Sequence, residues 1–206
     1  MLQYIRGNGK RMRLRRIHLR HAKFSAHDTS EKETKEANLD KDMRILVISD
    51  THRRHDTLER VLEVEKKLDY VLHLGDVEGS EDYIEFLCPC PVEMVAGNND
   101  FFSRLPGEKI ITIGNNKILM THGHYYYVAA GLDRLKREAE DKEVDIVMYG
   151  HTHYPLIEEY GDITIINPGS LTHPRQPGRT PSYIMMEIEK NGNVHFEIKY
   201  IDTETL

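Results

Sequence analysis

Apolar residues recur along the chain in short runs, and most of these runs end at glycine or at a polar side chain. Such runs are rich in Val, Ile, Leu and Met, which is typical of buried strands. They predict strands at 43–49, 69–74, 91–96, 108–113, 117–121 and 144–149. A Gly-Asn-Asn turn at 114–116 joins the fourth and fifth of these strands. The segment from 154 to 202 is also rich in strand-forming residues.

Helical spacing of apolar residues appears between the strands. The spacing predicts helices at 56–67, 81–87 and about 128–142. In the first helix, Leu58, Val61, Leu62 and Val64 are expected to face inward. The order βαβαβ followed by antiparallel strands predicts an α/β domain with more than one sheet.

Charge divides the chain into two parts. Residues 1–42 carry 11 Lys/Arg and 6 Asp/Glu, a net of +5, whereas residues 43–206 carry 17 and 28, a net of −11. We therefore predict a basic, then polar extension at 1–42 and a folded domain at 43–206. The extension is open to three interpretations: a basic arm for an anionic partner, a targeting peptide, or translation from a start codon placed too early. The last is preferred, because a strand begins abruptly at Met43.

Composition also limits the partners and the compartment. The sequence contains neither an apolar stretch long enough for a membrane span nor a secretory signal. The two cysteines, Cys88 and Cys90, form no zinc-type pair of pairs, so we expect reduced thiols and a cytoplasmic location. The acidic body disfavours nucleic acid as a tightly held ligand, because phosphate contacts need Lys and Arg. A homo-oligomer remains compatible with the sequence.

The side chains that follow five of the strands have the chemistry of metal ligands. They are Asp50, His52, Asp76, Asn98, His122, His151 and His153. In open α/β sheets, ligands collect outside the carboxyl ends of strands. A lone polar residue at a strand end is usually a cap or a turn former, but five strand ends in succession favour one shared site.

This ligand set predicts a dinuclear centre. Carboxylate, amide and imidazole groups without thiolate suit Mn foremost, and also Ni, Zn, Fe or Co. Seven ligands exceed the three or so that one catalytic ion takes from a protein, whereas two ions sharing a carboxylate would use them all. Two such ions activate a water as hydroxide and clamp phosphoryl oxygens, so the sequence predicts hydrolysis of phosphoesters.

The ordered motifs resemble the calcineurin-like metallophosphoesterase superfamily, and the later NPGS at 167–170 looks like its small single-domain phosphodiesterase branch (YfcE-type). The resemblance covers residues 43 to about 200. It implies a four-layer α-β-β-α sandwich of two mixed sheets flanked by helices, and a small phosphodiester as the substrate. It also implies a ligand assignment. One metal is held by Asp50, His52 and His153, the other by Asn98, His122 and His151, and Asp76 bridges them.

One residue departs from the pattern of many superfamily members. Asn99 stands where they have a histidine that is thought to assist the leaving group. An amide cannot donate a proton at a useful pKa, so general-acid assistance must come from elsewhere or be absent. His124 is the candidate substitute, with orientation of a metal ligand as its alternative role. His124 and Asn98 are thus the candidate catalytic residues.

Several other residues receive less specific expectations. His73 is expected to be a packed core histidine, Asp100 to fix loop geometry or orient a histidine, and Ser170 to belong to a turn. Arg175 could reach a phosphate at the mouth of the site. Two other functions compete with the enzyme. One is a scaffold that keeps the fold without catalysis, as the retromer subunit resembling this family is thought to be; the other is a nuclease.

Overall fold

The computed structural model describes residues 41–201. Most of the predicted extension, residues 1–40, and the last five residues of the predicted domain, 202–206, lie outside the described part. The strands are β1 Met43–Ile48, β2 Tyr70–His73, β3 Val92–Met94, β4 Glu108–Ile113, β5 Asn116–Thr121, β6 Ile146–Met148, β7 Leu156–Tyr160, β8 Ile163–Asn167, β9 Ser182–Ile188 and β10 Val194–Tyr200. The helices are α1 Asp56–Val64, α2 Glu81–Leu87 and α3 Asp133–Asp141, with a 3₁₀ turn at His124–Tyr126.

The strands form two five-stranded mixed sheets. One has the order β10-β9-β1-β2-β3 and the other the order β4-β5-β6-β8-β7. In the first sheet β1, β2 and β3 are parallel, and in the second β5, β6 and β8 are parallel. Parallel strands present their carboxyl ends at the same edge, so the loops after these strands are brought together.

Alternation of side chains along each strand builds three apolar layers. In β1, Ile45 and Val47 face the core between the two sheets, while Leu46 and Ile48 face the core under α1 and α2. On the far side of the second sheet, Leu135 of α3 packs in a third core. The layers run helix, sheet, sheet, helix, which confirms the predicted four-layer sandwich.

Two of the sequence predictions about helices were wrong in detail. The helix expected at 128–142 begins only at Asp133, because Gly131 has a φ of +145° that interrupts the helical path. The helix expected at 56–67 ends at Val64, and Lys67 has a φ of +58°. Val64, expected to face inward, is 65% exposed at that end.

Within residues 41–201, no helix combines the length and the apolar character that crossing a membrane requires. Cys88 and Cys90 are free thiols, and burial raises the pKa of Cys88 to about 12. The cytoplasmic location stays a prediction.

Candidate metal centre

Seven polar side chains meet where five parallel or adjacent strands end. Asp50 and His52 follow β1, Asp76 follows β2, and Asn98 follows β3. The second sheet supplies the loops after β5 and β6, with His122, His151 and His153. We call these seven residues the candidate metal cluster.

Four of them form one compact group. One ligand atom from each of Asp50, His52, Asp76 and His153 lies within 4.8 Å of the others. Asp50 Oδ1 lies 3.0 Å from His153 Nε2 and 3.8 Å from His52 Nε2. This group contains all three residues that the resemblance implied for the first metal, together with the implied bridge.

The other three residues meet at the amide of Asn98. Its Oδ1 lies 3.1 Å from His122 Nε2 and 2.7 Å from His151 Nδ1. Burial, reinforced by the neighbouring His122, lowers the pKa of His151. His151 is therefore kept neutral at physiological pH, which is the state in which imidazole binds metals.

Asp76 lies between the two groups. Its Oδ2 is 3.8 Å from His52 Nε2 in the first group and 3.5 Å from His122 Nε2 in the second. Asn99 supports this carboxylate, because its backbone N–H donates to Oδ1 at 2.9 Å and its side-chain amide donates to Oδ2 at 2.7 Å. The carboxylate is thus oriented toward both groups, as a shared ligand would be.

The hydrogen bonds of two histidines direct their Nε2 atoms toward acceptor oxygens. His122 Nδ1 donates to Leu74 O and His153 Nδ1 donates to His173 O, each at 2.7 Å. When these rings are neutral, their Nε2 lone pairs face Asn98 Oδ1 and Asp50 Oδ1, which are also acceptors. Burial opposes a charge on His153, but the contact with Asp50 outweighs it and raises the pKa of His153. Two acceptors at about 3 Å repel each other unless a proton or a metal ion lies between them.

Two buried atoms at the centre of the first group have no hydrogen-bond partner among the described residues. They are Asp50 Oδ1 and His52 Nε2. Asp50 Oδ1 is close to His153 Nε2, but the approach lacks the direction of a hydrogen bond. Buried polar atoms are seldom left unsatisfied in native proteins. Carboxylate, imidazole and amide donors pointing into a shared space fit a divalent transition-metal ion.

The electrostatics of Asp50 agree with this interpretation. Burial would raise the pKa of Asp50, but the contact with His153 and the charges of His122 and His153 hold it at about 2. Asp50 is therefore an anion at neutral pH although it is fully buried. Its backbone carbonyl accepts hydrogen bonds from Ser170 Oγ at 3.0 Å and Thr172 Oγ1 at 2.7 Å, so Ser170 belongs to a supporting turn, as expected.

The backbone at the cluster is strained. Five of the seven residues have φ between +43° and +67°, a region that non-glycine residues seldom adopt. They are Asp50, His52, Asp76, His151 and His153. Each such conformation costs on the order of 1 to 3 kcal/mol, and clusters of them are found at functional sites.

Glycine permits the close approach of the loops at two positions. A Cβ on Gly97 would lie 2.1 Å from Asp76 Oδ1, and a Cβ on Gly150 would lie 2.1 Å from Ser49 Oγ. A side chain at position 97 would also meet the backbone N of Asp76 at 2.4 Å and displace that loop, and one at position 150 would displace the side chain of Ser49, so both glycines are explained by space.

Two acidic residues outside the cluster organise it. Asp100 accepts backbone N–H groups from Asp76 at 2.8 Å, Gly97 at 2.7 Å and Glu78 at 2.6 Å, and so fixes loop geometry as expected. Glu78 Oε1 lies 2.7 Å from His52 Nδ1 and fixes the orientation of that ring. Sequence reasoning missed Glu78, because the spacing from Asp76 alone does not show that its carboxylate meets His52.

Three further predicted residues lie beside the cluster. The ring of His124 is 5.5 Å from that of His122 and 6.2 Å from that of His151. Burial lowers the pKa of His124. His73 is fully buried and bonded on both nitrogens, as expected of a core histidine. Arg175 is exposed and contacts Thr152 O at 3.5 Å.

Comparison with known proteins assigns the family. The calcineurin-like phosphoesterase superfamily domain matches residues 43–191, which include every residue of the candidate metal cluster. The chain belongs to this superfamily. The match begins at Met43, the first residue of β1.

Relatives of the metallophosphoesterase occur in bacteria, archaea and eukaryotes. The probable metallophosphoesterase YsnB of Bacillus subtilis (strain 168) is 34% identical over 152 residues, 72% of this chain and 86% of that protein. The probable metallophosphoesterase MJ0623 of Methanocaldococcus jannaschii is 39% identical over 140 residues, 66% of this chain and 71% of that protein. The structure of wild-type Vps29 of Entamoeba histolytica complexed with Zn²⁺ has a TM-score of 0.62 and 28% identity, covering 78% of this chain and 100% of that one.

Proposed function

We propose that this metallophosphoesterase is a phosphodiesterase that hydrolyses small phosphodiesters with two divalent metal ions. The observation that carries the proposal is the position of Asp76 between two groups of ligands, 3.8 Å from His52 Nε2 and 3.5 Å from His122 Nε2. A single ion would not require both groups, whereas two ions sharing one carboxylate use all seven residues.

In this proposal the first ion is bound by Asp50, His52 and His153, the second by Asn98, His122 and His151, and both by Asp76. Mn is the preferred metal, and Ni, Zn, Fe and Co suit the same ligands. When bound, such ions supply Lewis-acid stabilisation of a phosphoryl group and lower the pKa of a water molecule.

The side chains near the cluster explain the preference for diesters. Asn99 is engaged with Asp76 through its side chain and its backbone, and it has no acidic proton to offer a leaving group. His124 is the remaining candidate for proton donation, and its Nδ1 has no partner among residues 41–201. With weak acid assistance, esters of acidic alcohols should react faster than esters of alkyl alcohols.

A non-catalytic scaffold is the second candidate, and one comparison favours it. Vps29 shares the fold, and its name stands for vacuolar protein sorting 29. All seven cluster positions carry groups able to bind metal in this chain, which supports the enzyme, because a scaffold does not need a complete set of ligands.

The proposal is tested by adding Mn²⁺ and measuring both bound metal and turnover. We expect about two ions per chain and hydrolysis of bis(p-nitrophenyl) phosphate with a higher kcat/KM than that of an alkyl phosphomonoester. His151→Ala should lower the stoichiometry, and Asp50→Asn should remove turnover.

Asp56→Asn is the matched control for Asp50→Asn, because Asp56 is an exposed aspartate in the first turn of α1. Circular dichroism must show that all variants are folded. A folded chain that binds no more than one ion, or that hydrolyses no diester with any of the five metals, would contradict the proposal.

A further inference from the structure

A cavity of about 670 Å³ adjoins the candidate metal cluster. Its wall includes Arg53, the neighbour of His52 in the chain, and Asn99, which donates to both carboxylate oxygens of Asp76. None of the seven cluster residues lines the cavity, but Glu78, Asn99 and Asp100 do, and each of them is hydrogen-bonded to a cluster residue. Its volume lies in the usual range for sites that bind small molecules.

Two consecutive phenylalanines line this cavity. Phe101 is 79% exposed and Phe102 is 100% exposed. Their loop is fixed, because the carboxylate of Asp100 accepts three backbone N–H groups and the backbone carbonyl of Asp100 accepts the N–H of Ser103 at 3.1 Å. The backbone that carries the two aromatic rings is thus fixed beside the site, and the exposed rings offer a surface for stacking, with only two side-chain torsions each to be ordered.

Polar groups beside the rings distinguish between aromatic ligands. Asp82 and Arg104 line the same cavity and are exposed, and their side chains make no hydrogen bond to any other residue in the range 41–201. The carboxylate of Asp82 can accept hydrogen bonds, and the guanidinium of Arg104 can donate them. A nucleobase presents both donors and acceptors on its edges, whereas a plain phenyl or alkyl group presents neither.

The charge of the cavity limits the number of phosphates on the ligand. Its lining carries four carboxylates, from Glu78, Glu81, Asp82 and Asp100, and only the two guanidinium groups of Arg53 and Arg104. Additional phosphates would meet this excess of negative charge. A nucleoside attached to a single diester phosphate fits better than a nucleoside triphosphate or a polynucleotide.

We propose that the cavity binds the nucleoside part of a phosphodiester substrate, with the base stacked on Phe101 or Phe102 and its edge facing Asp82 and Arg104. The inference rests on the proposed function, since it places the scissile phosphate at the candidate metal cluster. It names the substrate class as small nucleoside phosphodiesters.

The first test compares two substrates that share one leaving group. Thymidine 5′-(p-nitrophenyl phosphate) and ethyl p-nitrophenyl phosphate differ only in the nucleoside. With Mn²⁺, we expect a higher kcat/KM for the thymidine ester, and the double variant Phe101→Ala/Phe102→Ala should reduce the ratio of the two values by about tenfold. Phe86→Ala is the matched control, because Phe86 is 81% exposed on α2 and does not line the cavity.

The second test measures binding and does not depend on turnover. Isothermal titration calorimetry of the Mn²⁺-loaded full chain should give a lower Kd for thymidine 5′-monophosphate than for inorganic phosphate. The double variant should remove this difference, and Phe86→Ala should preserve it.

The outcomes separate the inference from the proposed function. If the double variant loses kcat/KM equally on the thymidine and ethyl esters, the cavity holds the aryl leaving group that the two substrates share. That result would overturn the inference. Unchanged ratios and unchanged Kd values in the double variant would overturn it as well. A chain that hydrolyses neither ester but binds thymidine 5′-monophosphate through the phenylalanines would contradict the proposed function and support the nucleoside cavity.

Discussion

At the scale of single residues, three of the four histidines of the cluster share one arrangement. In His52, His122 and His153, Nδ1 donates a hydrogen bond to an oxygen of the protein, so that Nε2 faces the centre of the candidate metal cluster. The acceptor is a backbone carbonyl for His122 and His153, but a carboxylate, that of Glu78, for His52. A carboxylate partner makes the ring a better donor to a metal and fixes its orientation.

Glu78→Gln is therefore expected to weaken metal binding by roughly 10- to 100-fold, because the amide keeps the contact with His52 Nδ1 but loses the negative charge. The measurement is a Mn²⁺ titration by calorimetry, which reports affinity independently of turnover. Glu85→Gln on the exposed face of α2 serves as the control. If Glu78→Gln and Glu78→Ala both bind Mn²⁺ as tightly as the wild type, Glu78 has no role in positioning the ligand.

The types and order of the cluster residues were readable from the sequence, but their conformations were not. Asp50-x-His52 and His151-x-His153 directly follow apolar runs, and their position at predicted strand ends was enough to identify them as candidate metal ligands. The positive φ angles of these residues conflict with local preference, and only packing of neighbouring loops enforces them. Glu78 was missed because the importance of a carboxylate in a loop depends on which ring it meets in space.

At the scale of elements, the positions of strands and helices were predicted better than their ends. The predicted strand at 108–113 and the predicted helix at 81–87 coincide with β4 and α2. The helix predicted at 128–142 starts five residues late, because a glycine and the tertiary contacts of the 3₁₀ turn compete with helical periodicity. The parallel sheet core needs continuous apolar strands, which makes their positions a strong signal in the sequence.

The strand β2 carries a buried histidine whose protonation should control acid stability. Gly75 N donates to His73 Nδ1 at 3.2 Å, so Nε2 carries the proton and donates to Thr51 Oγ1 at 3.0 Å. Burial lowers the pKa of His73 to about 3. A histidine in the unfolded chain has a pKa of about 6.5, so acid protonates the unfolded state first.

The stability that depends on neutral His73 is therefore complete above about pH 6.5 and is lost as the pH falls toward 3. Between pH 7.5 and 4.5 we expect a loss on the order of 2 kcal/mol from this group. Urea unfolding with a chelator present should show a steeper pH dependence for the wild type than for His73→Gln. His195→Gln, at an exposed position of β10, should keep the slope of the wild type. Equal slopes in all three proteins would contradict the assignment.

At the scale of the whole molecule, the four layers start at Met43 and the superfamily match starts there too. Few contacts connect the preceding residues to the domain within the described range. Lys41 pairs with Asp69 through a side chain that is 70% exposed, and Asp42 Oδ1 accepts the backbone N–H of Lys190 at 3.0 Å. An exposed ion pair contributes about 0 to 1 kcal/mol, so the contact of Lys41 adds little to the stability of the domain. The composition of residues 1–42 predicts that they are dispensable.

A chain that begins at Met43 should accordingly unfold within about 1 kcal/mol of the full chain and keep its kcat/KM on bis(p-nitrophenyl) phosphate. A chain that begins at Ile45 is the informative comparison, because it also loses Arg44. That arginine is bound to Glu65 at 2.8 Å and to Glu187 at 3.1 Å, and its backbone N–H donates to Asp69 at 2.9 Å. Glu65 is buried and would lose a charged partner, so the second chain should be clearly less stable in urea. If the chain from Met43 is as unstable as the chain from Ile45, or if it loses turnover, residues 1–42 are part of the functional domain and the predicted boundary is wrong.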